Sequence, residues 1–125
     1  MIKISQHGSF KNTENFFKRS QKINIKNILE KYGKEGVSAL TSATPLETGL
    51  TASSWDYEIH YKKGIYEIVW TNSNINDGIP IVILIQYGHS TKNGTFVKGK
   101  DFINPALKPI VNKLADEIWR EVKSL

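Results

Sequence analysis

The spacing of the apolar residues changes abruptly after Pro45, and this change limits which folds the chain can adopt. Between Ile25 and Ala43 apolar residues recur every three or four positions, which is the pattern of an amphipathic helix. Between Trp55 and Tyr61 they alternate with polar residues, which is typical of a half-buried strand. The residue before a proline is disfavoured in a helix. The sequence therefore predicts a helix that ends near Pro45 and a strand that begins near Trp55.

The segment before this helix is polar and has weaker signals. We expect residues 1–12 to form an N-terminal arm that includes a short strand at residues 2–4, and residues 13–19 to form a short helix. Within the long helix, Gly33 and Gly36 lower the local helix propensity. Their presence predicts either a close neighbour or a kink at that point.

The strand that begins at Trp55 is predicted to form one half of a β-hairpin. Residues 62–64 end in glycine and suit a tight turn, and residues 65–70 form a second apolar run that returns as the partner strand. This hairpin is the centre of the predicted sheet.

The middle of the chain gives mixed signals. Residues 71–78 are predicted to form a polar loop. Residues 79–87 fit two structures, because their β-branched side chains favour a strand whereas Pro80 favours the start of a short helix. Residues 88–99 are predicted to form a hairpin or loop that turns at Gly94.

The last element is predicted to be a long amphipathic helix. An apolar stripe runs over residues 106–125, with Asn104 as the expected cap and Pro105 as the expected first helical residue. The predicted fold is a single α+β domain over residues 1–125, with N-terminal helices, a small antiparallel sheet built on the central hairpin, and the C-terminal helix packed on the sheet. The expected core anchors are Trp55, Tyr57, Trp70, Leu107, Ile110, Leu114, Ile118 and Trp119.

Composition excludes several classes of protein. The chain has no cysteine, so it holds no disulfide and no thiolate metal site. Its longest apolar run, residues 79–85, is far shorter than the roughly 20 residues that cross a bilayer, and its N-terminus lacks the apolar core of a secretory signal. We therefore expect a protein with no membrane segment.

The net charge of +5 is distributed unevenly. Residues 1–45 carry eight Lys and Arg against three acids, residues 46–91 carry two against five, and residues 92–125 carry seven against four. A basic chain can bind nucleic acid through phosphates, and the candidates for such contacts are Lys18, Arg19, Lys22, Lys26 and Lys100. The alternation of sign also suits complementary patches that meet between subunits.

No arrangement of residues in the sequence predicts catalysis, a cofactor or a metal site. His7, His60 and His89 show no metal-ligand spacing. Ser90 follows His89, but neighbours in sequence rarely reach the geometry of a nucleophile and its base. The carboxylates of the hairpin are interpreted as residues of a solvent-exposed face. The sequence therefore predicts a protein that is not an enzyme.

Three short motifs resemble those of a family of tailed-bacteriophage minor tail components that act at the head–tail junction. The segment ATPLETG (residues 43–49), followed by SSW (53–55), resembles the family signature TPvdTG…SW. The segment QYGHST (86–91) is similar to its eyGt joint, and DFINPAL (101–107) is similar to its pFlrPAl entry to the last helix. The chain departs from the family pattern at Leu50, Gln86 and Asn104.

The resemblance implies a small structural virion protein of the phage neck or tail terminus. Such a protein would form a ring, with a hexamer as the expected stoichiometry, that caps the tail tube and joins it to the head-closure or connector protein. DNA would be a partner only as the genome passing through the lumen. The protein would be assembled in the host cytoplasm. The resemblance also implies that residues 80–87 form a short helix.

In such a ring, two loops are expected to reach neighbouring subunits. The expected contact residues are Leu46, Glu47, Leu50, Thr51, His89, Lys92, Lys98 and Lys100. Two alternatives remain open from the sequence: a head-closure or adaptor protein of the same virion region, and a non-specific DNA-binding protein that uses its basic N-terminal surface.

Overall fold

A three-stranded antiparallel sheet and two long helices make up the fold. The computed structural model describes residues 2–9, 22–45 and 49–123. The helices are α1 (Lys22–Ala43), α2 (Gly49–Ala52), α3 (Ile81–Tyr87) and α4 (Ile103–Lys123). The strands are β1 (Ile2–Ser9), β2 (Trp55–Lys62), β3 (Ile65–Asn72), β4 (Ile75–Asn76), β5 (Ile79–Pro80), β6 (Gly88–Ser90) and β7 (Phe96–Lys98). The predicted α+β class is confirmed.

The predicted hairpin is formed by β2 and β3, which pair from Trp55 opposite Asn72 to Lys62 opposite Ile65. Its two-residue turn places Lys63 and Gly64 at φ 52° and 77°, both in the left-handed region. Turns of this kind match the twist of the flanking strands, and glycine adopts the required conformation without steric cost.

The N-terminal segment adds a third strand to this hairpin. The sheet order is β1–β3–β2, and β1 pairs antiparallel with β3 along its whole length. The strand predicted at residues 2–4 is present and extends to Ser9, so residues 2–9 belong to the sheet rather than to a separate arm. The physical reason lies in β3, which buries Ile68, Val69 and Trp70 on both of its faces and so behaves as a central strand with a neighbour on each side. The helix predicted over residues 13–19 lies outside the described residues.

Helix α1 packs directly on the sheet, and its two glycines allow the close approach. A Cβ added at Gly33 would overlap the Tyr57 ring, and one added at Gly36 would overlap the Trp70 indole. Trp70 is fully buried, and its Nε1 donates a hydrogen bond to the carbonyl oxygen of Gly33 at 3.0 Å. The close neighbour that the glycines predict is thus the aromatic face of β2 and β3.

Helix α4 packs against α1 and the sheet through one apolar face. Its buried residues are Ile103, Leu107, Ile110, Leu114 and Ile118. The prediction that Trp119 anchors the core is wrong, because its side chain is 59% exposed. At about 100° per residue, Trp119 lies roughly 140° from the centre of the buried face. Lys123 Nζ lies 5.5 Å from the Trp119 ring centroid instead.

Two tyrosine hydroxyls fasten α1 to its neighbours. Tyr57 donates a hydrogen bond to Glu30, which joins β2 to α1 and raises the pKa of the tyrosine to about 12. Tyr32 donates to Glu117, which joins α1 to α4, and this hydrogen bond lowers the pKa of the Glu117 carboxyl. Lys31 lies 3.3 Å from the same carboxylate. These polar contacts thus link α1 to β2 on one side and to α4 on the other.

The segment with mixed sequence signals forms short elements. Residues 81–87 form the helix α3, and Pro80 is the residue that precedes its first turn. Within this helix the Val82 side chain is buried. The predicted polar loop at residues 71–78 is shorter than expected, since Asn72 belongs to β3 and β4 pairs with β5. Gly94, at φ 80°, turns the chain between β6 and β7. None of the described helices is long and apolar enough to cross a membrane.

Candidate assembly surfaces

The first motif forms a joint between the end of α1 and the start of β2. Thr44 is buried, and its hydroxyl donates to the carbonyl oxygen of Leu40 at 2.7 Å. The hydroxyl oxygen of Thr44 in turn accepts a hydrogen bond from the indole Nε1 of Trp55 at 3.0 Å. The threonine thus links the last turn of α1 to the tryptophan that begins β2. Leu46 and Glu47, two of the expected contact residues, lie outside the described residues.

The short helix α2 carries the next two expected contact residues, of which one is exposed and the other is buried. Leu50 points outward and is 69% exposed, whereas Thr51 is only 1% exposed. The prediction that Thr51 contacts a neighbour is therefore wrong. Its carbonyl oxygen accepts a hydrogen bond from the Asn72 amide, and its hydroxyl accepts one from the Asn74 amide, both at 2.8 Å. Sequence reasoning missed these asparagines, because nothing in an Asn-rich segment distinguishes a buried amide from a solvated one.

The second and third motifs meet at the start of α4. Gln86 is buried, and its Oε1 accepts hydrogen bonds from the backbone N–H groups of Phe102 and Ile103 at 3.1 and 3.3 Å. Its Nε2 donates to Asp101 Oδ1 at 2.7 Å, and the same oxygen accepts from the backbone N–H of Asn104 at 3.3 Å. The N–H groups at a helix start have no partner within the helix, so these two side chains cap α4.

This capping corrects the predicted start of the last helix. The helix begins at Ile103, two residues before Pro105, and the cap comes from Asp101 and Gln86 rather than Asn104. The hydrogen bonds from Gln86 and Asn104 lower the pKa of the Asp101 carboxyl. The Gln86 amide nitrogen donates to Asp101, as a carboxylate at this position could not.

One exposed surface lies at the end of the sheet where Trp55 pairs with Asn72. We call this surface the acidic end, and it consists of the exposed apolar residues Leu50, Ile75 and Ile79 with the exposed acids Asp56 and Asp77. The hydrogen bonds of Thr51 to Asn72 and Asn74 bring α2 beside β4. Residues 46–91 contain lysine only at positions 62 and 63, at the opposite end of the hairpin. The strand register nevertheless brings a base to this end, because Lys3 of β1 and Asp56 of β2 both pair with Thr71 of β3.

A second exposed surface lies on the β6–β7 hairpin. We call it the hairpin surface, and its exposed residues are Tyr87, Phe96 and Val97 with the lysines Lys92, Lys98 and Lys100. Phe96 and Val97 are consecutive residues of β7 and therefore project from opposite faces of the strand pair. Residues 88–100 contain no acid. Gly88 lies directly beneath the Phe96 ring, and the hairpin is fixed to α3 by a hydrogen bond from the Lys100 backbone N–H to the Ile85 carbonyl oxygen at 3.0 Å.

The three lysines predicted as contact residues are each exposed in or next to the β6–β7 hairpin, whereas His89 is less exposed. His89 is half-buried within β6, and its Nδ1 is buried without a hydrogen-bond partner among the described residues. Sequence reasoning did not identify Tyr87, Phe96 and Val97 as contact candidates. The available signal was the presence of large apolar side chains in a segment rich in turn residues.

Other chemistry was sought among the described side chains. No three His, Cys, Asp or Glu residues there converge to hold a metal ion. His60 is exposed, and its Nε2 lies 3.0 Å from Glu58 Oε2 on the solvent face of β2.

Comparison with known proteins gives no assignment: no protein-family model, no curated protein sequence and no solved structure matches this chain.

Proposed function

We propose that this protein is a structural component of a phage neck or tail terminus. It forms a ring, with six copies expected, that caps the tail tube and joins it to the head-closure or connector protein. The proposal takes its biological setting from the motif resemblance at residues 43–55, 86–91 and 101–107. It has no catalytic step.

One observation supports the proposal above the others: the described part of the chain leaves two groups of large apolar side chains exposed, each with charged residues near it in the chain. The acidic end holds Leu50, Ile75 and Ile79, and the hairpin surface holds Tyr87, Phe96 and Val97. Exposed apolar groups rimmed by charges mark sites of protein–protein contact. A ring of identical subunits needs two different surfaces on each copy, because its contacts are heterologous.

The positions of the motifs give further support. Each motif lies at a joint: Thr44 with Trp55 between α1 and β2, and Gln86 with Asp101 between α3 and α4. Joints of this kind hold the neighbouring surface segments in fixed positions, which suits a protein whose task is to present a shape.

The proposal is tested by measuring the mass of the purified chain by light scattering and by imaging it in negative stain, alone and with the tail-tube protein. Rings in either sample are the expected result. Only monomers in both samples, over a wide range of concentrations, would refute the proposal. Rings that bind the head connector but not the tail tube would assign the protein to head closure instead. A monomer that binds DNA, with affinity that falls steeply as salt rises, would favour the DNA-binding alternative.

A further inference from the structure

We propose that β2 of one copy pairs edge to edge with β2 of a second copy, antiparallel and centred on Ile59. The two three-stranded sheets then continue as one sheet. Such a contact uses the same residues on both copies, so it is isologous and closes after two copies. It goes beyond the proposed ring and does not rest on it.

The outer edge of β2 has no paired strand among the described residues. In the sheet order β1–β3–β2, the strand beside β2 is β3. The eight residues of β2 pair with β3 in one continuous register, without a bulge. An edge strand of this regularity presents a row of backbone N–H and C=O groups with which another strand can pair.

The turn of the hairpin determines which backbone groups of β2 point outward. In a two-residue hairpin the flanking residues, here Lys62 and Ile65, form a hydrogen-bonded pair, and such pairs alternate along the ladder. The even-numbered residues of β2 therefore bond to β3, and the odd-numbered residues direct their N–H and C=O groups away from it. The Tyr57 N–H agrees with this pattern, since it donates to Asp56 Oδ1 at 2.8 Å.

The charges of β2 are complementary to themselves in the proposed register. The strand face opposite to α1 carries four exposed polar residues, in order Asp56, Glu58, His60 and Lys62. Antiparallel pairing about Ile59 places Asp56 opposite Lys62 of the second copy and Glu58 opposite its His60. Opposite charges directly across a strand pair are favourable, and like charges are unfavourable. Centring the pairing on Glu58 or on His60 would instead place that residue opposite itself.

The same register satisfies the backbone. It places Ile59 opposite Ile59 and Tyr57 opposite Tyr61, and these are residues whose N–H and C=O groups point outward. Each of these pairs would exchange both N–H···O bonds. The charged residues then occupy the intervening positions, where the Cα atoms of antiparallel strands are about 4.5 Å apart. The Tyr57 N–H would exchange the Asp56 carboxylate for the Tyr61 carbonyl oxygen, and Asp56 would turn to Lys62.

Contacts within one copy do not replace this pairing. Lys3 shares a row with Asp56, but β3 lies between their strands, so the two backbones are roughly 10 Å apart. Glu58 and His60 contact each other along β2 at 3.0 Å, and His60 lies opposite Glu67 of β3. A second copy would place His60 between two acids, Glu67 of its own sheet and Glu58 of the other.

The other edge of the sheet lacks this complementarity. Strand β1 contains Lys3 and His7 but no acid, so two β1 strands cannot place opposite charges across a two-fold axis. Lys3 and His7 are four positions apart, whereas the acids Asp56 and Glu58 of β2 are two positions apart. No register of β1 against β2 therefore pairs both bases with both acids. The charge pattern favours a second β2 as the partner.

Cysteine cross-linking tests the register, because the chain has no cysteine of its own. Glu58→Cys and His60→Cys are prepared as separate proteins that differ in mass through a tag, then mixed and oxidised. The expected result is a mixed dimer that forms several times faster than either homodimer, because the two cysteines stand opposite each other while the second Glu58–His60 pair is kept. Lys62→Cys in place of His60→Cys is the matched control on the same strand face, and it is expected to cross-link several times more slowly.

Charge reversal gives an independent measurement. Asp56→Lys and Lys62→Glu are each expected to weaken dimerisation about tenfold in sedimentation equilibrium at low salt. The chain that carries both reversals again has opposite charges across the contact, so its affinity is expected to return to within about threefold of the original. Lys113→Glu, at an exposed position on α4, is the control and is expected to leave dimerisation unchanged.

The outcomes separate this inference from the proposed function. Rings with the tail-tube protein, combined with cross-linking no faster than the Lys62→Cys control, would overturn the strand pairing and leave the ring in place. Dimers that cross-link in the expected register without forming rings would support the strand pairing and count against the proposed function. A free chain that sediments as a monomer at every concentration would overturn the strand pairing. Equal losses from Lys113→Glu and Asp56→Lys, with no recovery in the double reversal, would overturn it as well.

Discussion

Replacing Gly36 with alanine separates the effect of helix propensity from that of tertiary packing, because the two effects predict opposite changes in the stability of the protein. Alanine is favoured over glycine within a helix by about 0.5–1 kcal/mol, so the sequence alone predicts a more stable protein. In the structure the new Cβ would stand 2.5 Å from Cε2 and Cζ2 of the Trp70 indole, whereas ordinary van der Waals contact begins at 3.4 Å. The helix and the sheet would therefore have to separate by about 1 Å.

The size of the loss follows from two terms. Overpacking of a core costs about 1–3 kcal/mol. A shift of the Trp70 ring by that distance would also stretch the 3.0 Å hydrogen bond from its Nε1 to the Gly33 carbonyl oxygen beyond a useful length, and a buried unpaired donor costs about 1–3 kcal/mol. After the gain in helix propensity is subtracted, Gly36→Ala is expected to lower the free energy of unfolding by about 1–5 kcal/mol.

Urea unfolding followed by tryptophan fluorescence measures this loss. The comparison is valid when the unfolding free energy of both proteins falls with the same slope as urea concentration rises. Gly49→Ala is the matched control, since its Cβ would meet no atom within 4 Å, and it is expected to change stability by less than about 0.5 kcal/mol. Trp70→Phe in the Gly36→Ala protein should recover part of the loss, because the smaller ring relieves the overlap. If Gly36→Ala proved as stable as Gly49→Ala, the close contact between α1 and the sheet would be refuted.

Three further predictions follow from particular side chains. Trp119→Ala is expected to cost less than about 1 kcal/mol in urea unfolding, whereas Ile118→Ala, one position away but buried, should cost about 2–5 kcal/mol; equal losses would contradict the orientation of α4. Gln86→Leu is expected to cost about 1–3 kcal/mol, because two backbone N–H groups at the start of α4 lose their acceptor, and an unchanged unfolding midpoint would show that this cap contributes nothing. Since the hydrogen bond to Glu30 raises the pKa of Tyr57 from 10.0 to about 12, its contribution to stability is complete below pH 10 and is lost as pH rises through 12. Tyr57→Phe should remove that part of the pH dependence in alkaline unfolding, and an identical alkaline profile would contradict the assignment.

The candidate contact surfaces were only partly predictable from the sequence. Leu50, Lys92, Lys98 and Lys100 were expected at the surface and are exposed. The apolar centre of the hairpin surface, including Phe96, was not expected. Whether an apolar side chain in a short strand is covered depends on which other elements lie beside it, and Phe96 and Val97 of β7 remain exposed.

The sequence by itself determined the local elements: the α1 helix, the β2–β3 hairpin with its turn, and the apolar stripe of α4. These follow from residue spacing and turn chemistry, which act over a few neighbouring positions. Only the tertiary structure decided that residues 2–9 complete the sheet, that Trp119 faces solvent, and that Gln86 caps α4. Those outcomes depend on partners far apart in the chain: Trp70 and Gly33 are 37 positions apart, and Gln86 and Asp101 are 15 apart. Such pairs are fixed by how the elements pack, because a local pattern shows that a face is apolar without showing which side chain will meet it.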